Sequence, residues 1–98
     1  MTIEQITQGF QERASNIPPF GKTLKFAFDT GNIFIDGRGE QTAISNTDDE
    51  ADTTISMKQE NFLKMMKGDL NPMTAVMTGK IKISGDMGLA MKLKELLG

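Results

Sequence analysis

The chain contains no cysteine and no histidine. Without cysteine there are no disulfides, no thiolate nucleophile and no thiolate metal site, and a reducing compartment, the cytoplasm, is expected. Without histidine the commonest general base, metal ligand and haem ligand is missing too. Long apolar runs are also lacking. The longest reach three residues, as in Ile33-Phe34-Ile35, far short of the roughly 20 that span a bilayer. The first basic residue is Arg13 and no apolar stretch follows the start, so no secretory signal is expected. Nor is there an excess of positive charge: 11 basic against 13 acidic residues give a net charge of −2. Nucleic acid demands a basic footprint, so it is not an expected partner. Little chemistry is left to such a chain, and neither catalysis nor a cofactor is expected.

What is present fits a single domain over residues 1–98. The 38% of hydrophobic residues suffices for one core, although so short a chain buries only about 60–65% of its unfolded surface. The charge is unevenly spread. Asp36, Glu40, Asp48, Asp49, Glu50 and Asp52 face only Arg38 in residues 36–52, whereas seven lysines face Glu60, Asp69 and Asp86 in residues 58–94. Two solvated faces account for this simply. A sharper reading has the lysine-bearing half meet an anionic lipid headgroup or membrane surface.

Thr2 and Gln5 form the pattern of a capping box, and Ile3, Ile6, Phe10, Ala14 and Ile17 recur at helical spacing, which predicts an amphipathic helix over 3–15. Gly9 weakens it slightly, and Ile17-Pro18-Pro19 ends it. From Thr23 the period becomes two, with Leu24, Phe26 and Phe28 on one strand face. Gly31-Asn32 reads as a hairpin turn, Asn32–Asp36 as the next strand, Glu40–Asn46 as a third and Ala51–Met57 as a fourth, together an antiparallel meander. Lys58–Lys67 reads as a helix stopped by Gly68, and Asn71-Pro72 starts a short one. Lys80–Ser84 alternates as a half-buried strand, and Asp86 caps a last helix to Leu97. The fold class is α+β: a five-stranded, mainly antiparallel sheet with helices on one face.

Motifs with stronger chemistry fail on inspection. Thr78-Gly79-Lys80 lacks the flanking residues of a phosphate loop, having Ile81 and Thr74 where Ser/Thr and Gly are needed. Gly37-Arg38-Gly39 is followed by Thr42 rather than the third glycine of a dinucleotide fingerprint. A calcium loop beginning at Asp48 would need glycine and glutamate where Thr53 and Gln59 stand, so no metal is expected.

Methionine is the informative residue. Seven of the eight fall between Met57 and Met91. In the last helix, Leu89, Ala90, Leu93, Leu96 and Leu97 form one apolar stripe, and Met87 and Met91 lie on its flank. Met65 and Met66 point about 100° apart, and Met73 and Met77 stack one turn apart. Such wide apolar faces around one sheet fit a cavity between helices and sheet, a well-filled core or a dimer interface; periodicity does not separate these.

Residues 50–97 resemble the sterol carrier protein family of non-specific lipid-transfer domains. The resemblance is carried by Ala51-Asp52-Thr53-Thr54-Ile55-Ser56-Met57, by Phe62-Leu63 and by Gly68-Asp69-Leu70-Asn71-Pro72. It continues through the block from Gly79-Lys80-Ile81-Lys82-Ile83-Ser84-Gly85-Asp86 to Met87-Gly88-Leu89-Ala90-Met91-Lys92-Leu93. It implies a five-stranded sheet with helices enclosing an apolar tunnel for fatty acyl chains, phospholipids or sterols. The candidate tunnel wall is Ile35, Phe62, Met66, Met73, Val76, Met77, Ile81, Ile83, Met87, Leu89 and Met91. Family members usually carry glutamine after Asn-Pro, where this chain has Met73. The peroxisomal members continue to a targeting tripeptide, whereas this sequence stops at Leu97-Gly98, so a bacterial-type cytoplasmic member is expected. The expected function is a non-catalytic carrier of fatty acid, acyl-CoA, phospholipid or a sterol-like molecule, with transient membrane contact. The alternative is a protein-interaction module using the same helix faces.

Overall fold

The computed structural model describes residues 1–90. The first helix, α1 (Ile3–Arg13), begins as expected: the Gln5 N–H donates to Thr2 Oγ1 at 3.2 Å and the Thr2 N–H donates back to Gln5 Oε1 at 2.8 Å. A 3-10 turn (Ala14–Asn16) takes up the last residues assigned to that helix, and buried Ile17 leads into the two prolines. The strands are β1 (Thr23–Phe28), β2 (Gly31–Asp36), β3 (Ala43–Ser45), β4 (Thr53–Met57) and β5 (Ile81–Gly85). Between the last two lie α2 (Gln59–Met66) and α3 (Pro72–Met77). Residues 87–90 are helical. Met91 and the end of the leucine stripe lie outside the described residues.

The strand order is β3-β2-β1-β4-β5. Every pairing is antiparallel except β1 with β4, which is parallel, so the expected four-strand meander stops after β3. The reason lies in burial and in the acidic segment before β4. Thr53, Ile55 and Met57 are all buried, which an edge strand would not achieve on a sheet this small. The connection is drawn back along β1 by polar contacts. Asn46 donates to the Asn32 carbonyl at 2.8 Å, Lys25 Nζ meets Asp48 at 3.0 Å, and Asp52 Oδ2 accepts from the Thr23 N–H at 2.9 Å. The β1–β2 hairpin also differs from expectation. Its loop is Asp29-Thr30, and Gly31 pairs with Phe28 as the first residue of β2, where the missing side chain lets Ile3 of α1 approach. The third strand is shorter than expected. Only Ala43–Ser45 pair, because Thr42 turns inward to donate to the Ile17 carbonyl at 2.6 Å and Arg38 folds back on Asp36.

Register places Leu24, Phe26, Ile33, Ile35, Ile44, Thr53, Ile55, Met57, Ile81 and Ile83 on one face of the sheet. That face carries the core with Ile6 and Phe10 of α1, Phe62 of α2, Ala75 of α3, and Leu89 and Ala90. Phe26 sits at the centre, its ring 5.5 Å from that of Phe10 and 5.7 Å from that of Phe62. The opposite face carries Lys25, Thr54, Ser56 and Lys82. One close approach fixes the sheet edge. Gly85 adopts φ +101°, and a Cβ there would lie 2.1 Å from the Asp52 carbonyl oxygen.

Candidate functional site

Between α1 and α2 lies an open cavity of about 200 Å³. Its walls are Gln5, Ile6, Gly9, Phe10 and Arg13 of α1, with Met1 before it, and Phe62, Leu63 and Met66 of α2. The α1 contribution follows from helical geometry: residues four apart lie one above the other, so 5, 9 and 13 form a row beside 6 and 10. Ile6 and Phe10 are buried, and their ring and branched side chain form the apolar floor. Phe62 closes the floor from α2, its ring 6.0 Å from Phe10 and 5.1 Å from Phe28. Gly9 leaves the space open, since a Cβ there would meet nothing within 4 Å.

Each wall is held in place by polar contacts at the ends of its helix. The Gln5 side chain is fixed by the capping box. At the start of α2, Asp29 Oδ1 accepts from the Gln59 N–H at 2.8 Å, a cap supplied from the β1–β2 turn. The Gln59 side chain donates to the Met1 carbonyl and accepts from the Thr30 hydroxyl, tying the chain start across the cavity to the same turn. At its C-terminus α2 ends on Gly68 at φ +83°, with the Asp69 N–H donating to the Lys64 carbonyl at 2.8 Å. Among the described residues Arg13 forms no ion pair, and it is the cationic group of the cavity wall. The cavity is therefore apolar within, with an amide and a guanidinium on its α1 side.

Of the candidate wall residues, Phe62 and Met66 line this cavity. Ile35, Ile81 and Leu89 are buried in the core behind it, and Ile83 packs against that core half-buried. Met73, Val76 and Met77 lie on the outer side of α3, and Met87 is half exposed, none of them in the cavity wall. Met91 is outside the described residues. Sequence reasoning missed α1 as a wall. The signal was present in Gly9, a glycine inside a helix on the flank of its apolar stripe, where a side chain is missing beside the cavity. The sheet-facing methionine, Met57, is buried core.

Electrostatic shifts lie away from the cavity, where the chain segments are tied together. The Asp86 carboxylate is held below its ordinary range by the hydrogen bond from Lys22, 2.8 Å away, then by the Leu89 N–H and the Lys22 charge. Asp52 is lowered by the Thr23 N–H and hydroxyl, and Asp36 by Arg38. The Lys22–Asp86 and Thr23–Asp52 contacts join the start of β1 to the segments after β5 and before β4. Among the described residues no group of acidic side chains is arranged to hold a metal ion, and no helix is long and apolar enough to cross a membrane.

A sheet of this order beneath helices that border an apolar pocket is an α+β fold with room for an apolar ligand. The comparisons agree. The family model of the SCP-2 sterol transfer family matches residues 3–98, and the chain belongs to that family. Sterol carrier protein 2 of Homo sapiens is 42% identical over 78 residues, covering 80% of this chain and 13% of the human protein. The chain thus spans a small part of the length of that relative. The crystal structure of sterol carrier protein 2 like 2 from Aedes aegypti superposes with a TM-score of 0.74 at 22% identity, covering 95% of this chain and 94% of that one. Sterol carrier protein 2 from the same organism, solved in complex with the C16 fatty acid palmitate, gives a TM-score of 0.67 at 18% identity, covering 97% and 89%.

Proposed function

We propose that this protein is a non-catalytic carrier of long-chain lipid, and that the cavity between α1 and α2 receives part of the acyl chain. The observation that carries the reading is the apolar pocket walled by Ile6, Phe10, Phe62, Leu63 and Met66, kept open at Gly9. At about 200 Å³ it is smaller than the roughly 300–1,000 Å³ of drug-sized pockets, which suits one segment of a chain rather than a whole lipid. The palmitate complex of the mosquito relative supports a fatty acid as one ligand class. Acyl-CoA, phospholipid and sterol-like molecules share the same apolar demand. Arg13 and Gln5 supply a cation and an amide for a carboxylate or phosphate at the edge of the cavity. A chain with no histidine or cysteine supports carriage rather than catalysis, and supports a reducing, cytoplasmic site of action.

The arithmetic of burial sets the expected selectivity. Each methylene removed from water contributes about 0.8 kcal/mol, so micromolar binding at about 8 kcal/mol requires on the order of ten buried methylenes. Affinity for saturated fatty acids should therefore rise about fourfold per methylene until the enclosed space is filled. Titration with a chain-length series tests this. A flat response, or no saturable binding by folded protein, would overturn the carrier reading.

A further inference from the structure

The two edges of the sheet are finished differently. At one edge β3 pairs over three residues only, and both of its ends are drawn in. Thr42 donates to the Ile17 carbonyl, and Asn46 donates to the Asn32 carbonyl and to Thr7 Oγ1. At the other edge β5 extends over five residues, Ile81–Gly85. Among the described residues its backbone hydrogen-bonds to β4 alone, so the N–H and carbonyl groups along its outer side have no protein partner. Such an edge is a template for another strand, and charge is the usual guard. Here the guard is Lys82, exposed in the middle of the strand between buried Ile81 and half-buried Ile83.

The residues around that guard are self-complementary. They read Lys80-Ile81-Lys82-Ile83-Ser84-Gly85-Asp86. Antiparallel pairing with a second copy, about a two-fold axis at Ile83, sets Lys82 opposite the partner's Ser84 and Ile81 opposite the partner's Gly85. Ile83 meets its own counterpart. One step beyond the strand, Lys80 meets the partner's Asp86, and the symmetry makes that contact twice. Asp86 can take this second cation, because its side chain remains 42% exposed with Lys22 beside it. Other registers fare worse. An axis at Lys82 sets two lysines face to face, and a slip of one residue sets isoleucine against lysine on the wrong sheet face. An axis at Ser84 carries the pairing past Gly85, where the strand has ended.

We propose that β5 is a homotypic interface, which pairs edge to edge with β5 of a second copy and doubles the five-stranded sheet. Residues directly opposite share a sheet face, so the helices of both copies lie on the same side. α1 packs over β2 and β3, away from the seam, and leaves its wall of the cavity clear. The contact is small, so the association is weak and reversible. Lys82 keeps the edge from pairing with strands at large, while the one favoured register spares it a like charge. No residue of the cavity takes part, so the interface and the carrier reading stand or fall separately.

Sedimentation equilibrium of the whole chain at low salt, from about 10 μM to about 1 mM, reads the association directly. The mass should rise from 10.8 kDa toward twice that value, and less steeply as salt is added. Ser84 is exposed, so a charge placed there leaves the fold intact. Ser84→Glu sets a carboxylate opposite Lys82 twice and should tighten the dimer about fivefold, whereas Ser84→Lys sets two pairs of lysines opposite and should weaken it about fivefold. Both variants should bind palmitate as the wild type does. Because the chain lacks cysteine, Ile83→Cys forms disulfides only between copies. Under mild oxidation it should cross-link faster than Ser45→Cys on the β3 edge, with thermal melting confirming that both are folded. A mass that stays at 10.8 kDa, Ser84 variants that associate alike, or cross-linking no faster at 83 than at 45 would overturn the proposal.

Discussion

α2 and α3 are built alike and packed differently. Both are short, both carry methionine, and both stop on a glycine of positive φ whose next residue closes the turn. Yet α2 reaches into the aromatic cluster and lines the cavity, while α3 rests on one alanine and turns its methionines to water. The difference is the residue that faces the sheet. A phenylalanine fills the space below the helix and holds it far enough off to leave a pocket beside it. An alanine brings the backbone of α3 down toward β5. Methionine content alone therefore says little about where a methionine ends up, because the anchor decides which side of the helix faces inward.

Breaking the anchor of α2 should have the largest effect. Phe62 is buried and meets the rings of Phe10, Phe26 and Phe28, so Phe62→Ala should cost about 3–5 kcal/mol, read by urea unfolding, and should remove fatty acid binding. Small domains hold only about 5–15 kcal/mol in total, so this variant approaches the unfolding threshold. Loss of less than about 1 kcal/mol would show that the aromatic cluster is not the anchor.

Next comes the β5 edge, beside which α3 packs. Gly85→Ala places a methyl group on the Asp52 carbonyl at a φ that alanine disfavours, and should cost about 1–3 kcal/mol by the same measurement. The ion pair of the neighbouring residue should set the pH limits of that edge. Asp86 and Asp52 are lowered when folded, so their stabilisation is present above the unfolded value near 3.8 and is lost as pH falls through the folded values. Lys22 is raised by the Asp86 hydrogen bond and charge, so its share is present below 10.5 and lost as pH rises through the folded value. Asp86→Asn should flatten the acid limb of a stability–pH curve while leaving the curve between pH 5 and 9 nearly level. An unchanged acid limb would remove the pair from the account.

The smallest stability effect is expected on α3. Met77→Ser should change stability by no more than about 0.5 kcal/mol, because the side chain gains almost nothing from the fold. A loss of 2 kcal/mol would show that α3 is packed like α2.

The local elements were readable because local rules govern them. The capping box at Thr2, the Asn71-Pro72 start, the glycine stops and the alternation in β1 and β5 each depend on neighbours within a few residues. Strand order was not, since placing β4 beside β1 depends on Asp48 and Asp52 finding Lys25 and Thr23 more than twenty residues away. The wall of the proposed cavity was half visible. Phe62 and Met66 were picked out by their apolar helix, but the opposing wall on α1 is made by the flank of the stripe and by a glycine, which hydrophobic periodicity does not weigh. The methionines of α3 were grouped with the wall because periodicity reports an apolar face and not which side of it is covered.

Gly9 offers the most direct test of the cavity, because side chains added there enter open space and also favour the helix. Fatty acid titration and thermal unfolding should be carried out on the wild type, Gly9→Ala and Gly9→Leu. Alanine should raise stability by about 0.5–1 kcal/mol and leave binding close to that of the wild type. Leucine should melt no lower than the wild type, yet weaken palmitate binding at least about tenfold by occupying the space of buried methylenes. A Gly9→Leu protein that folds and binds palmitate as well as the wild type would contradict the account, and would place the acyl chain somewhere other than between α1 and α2.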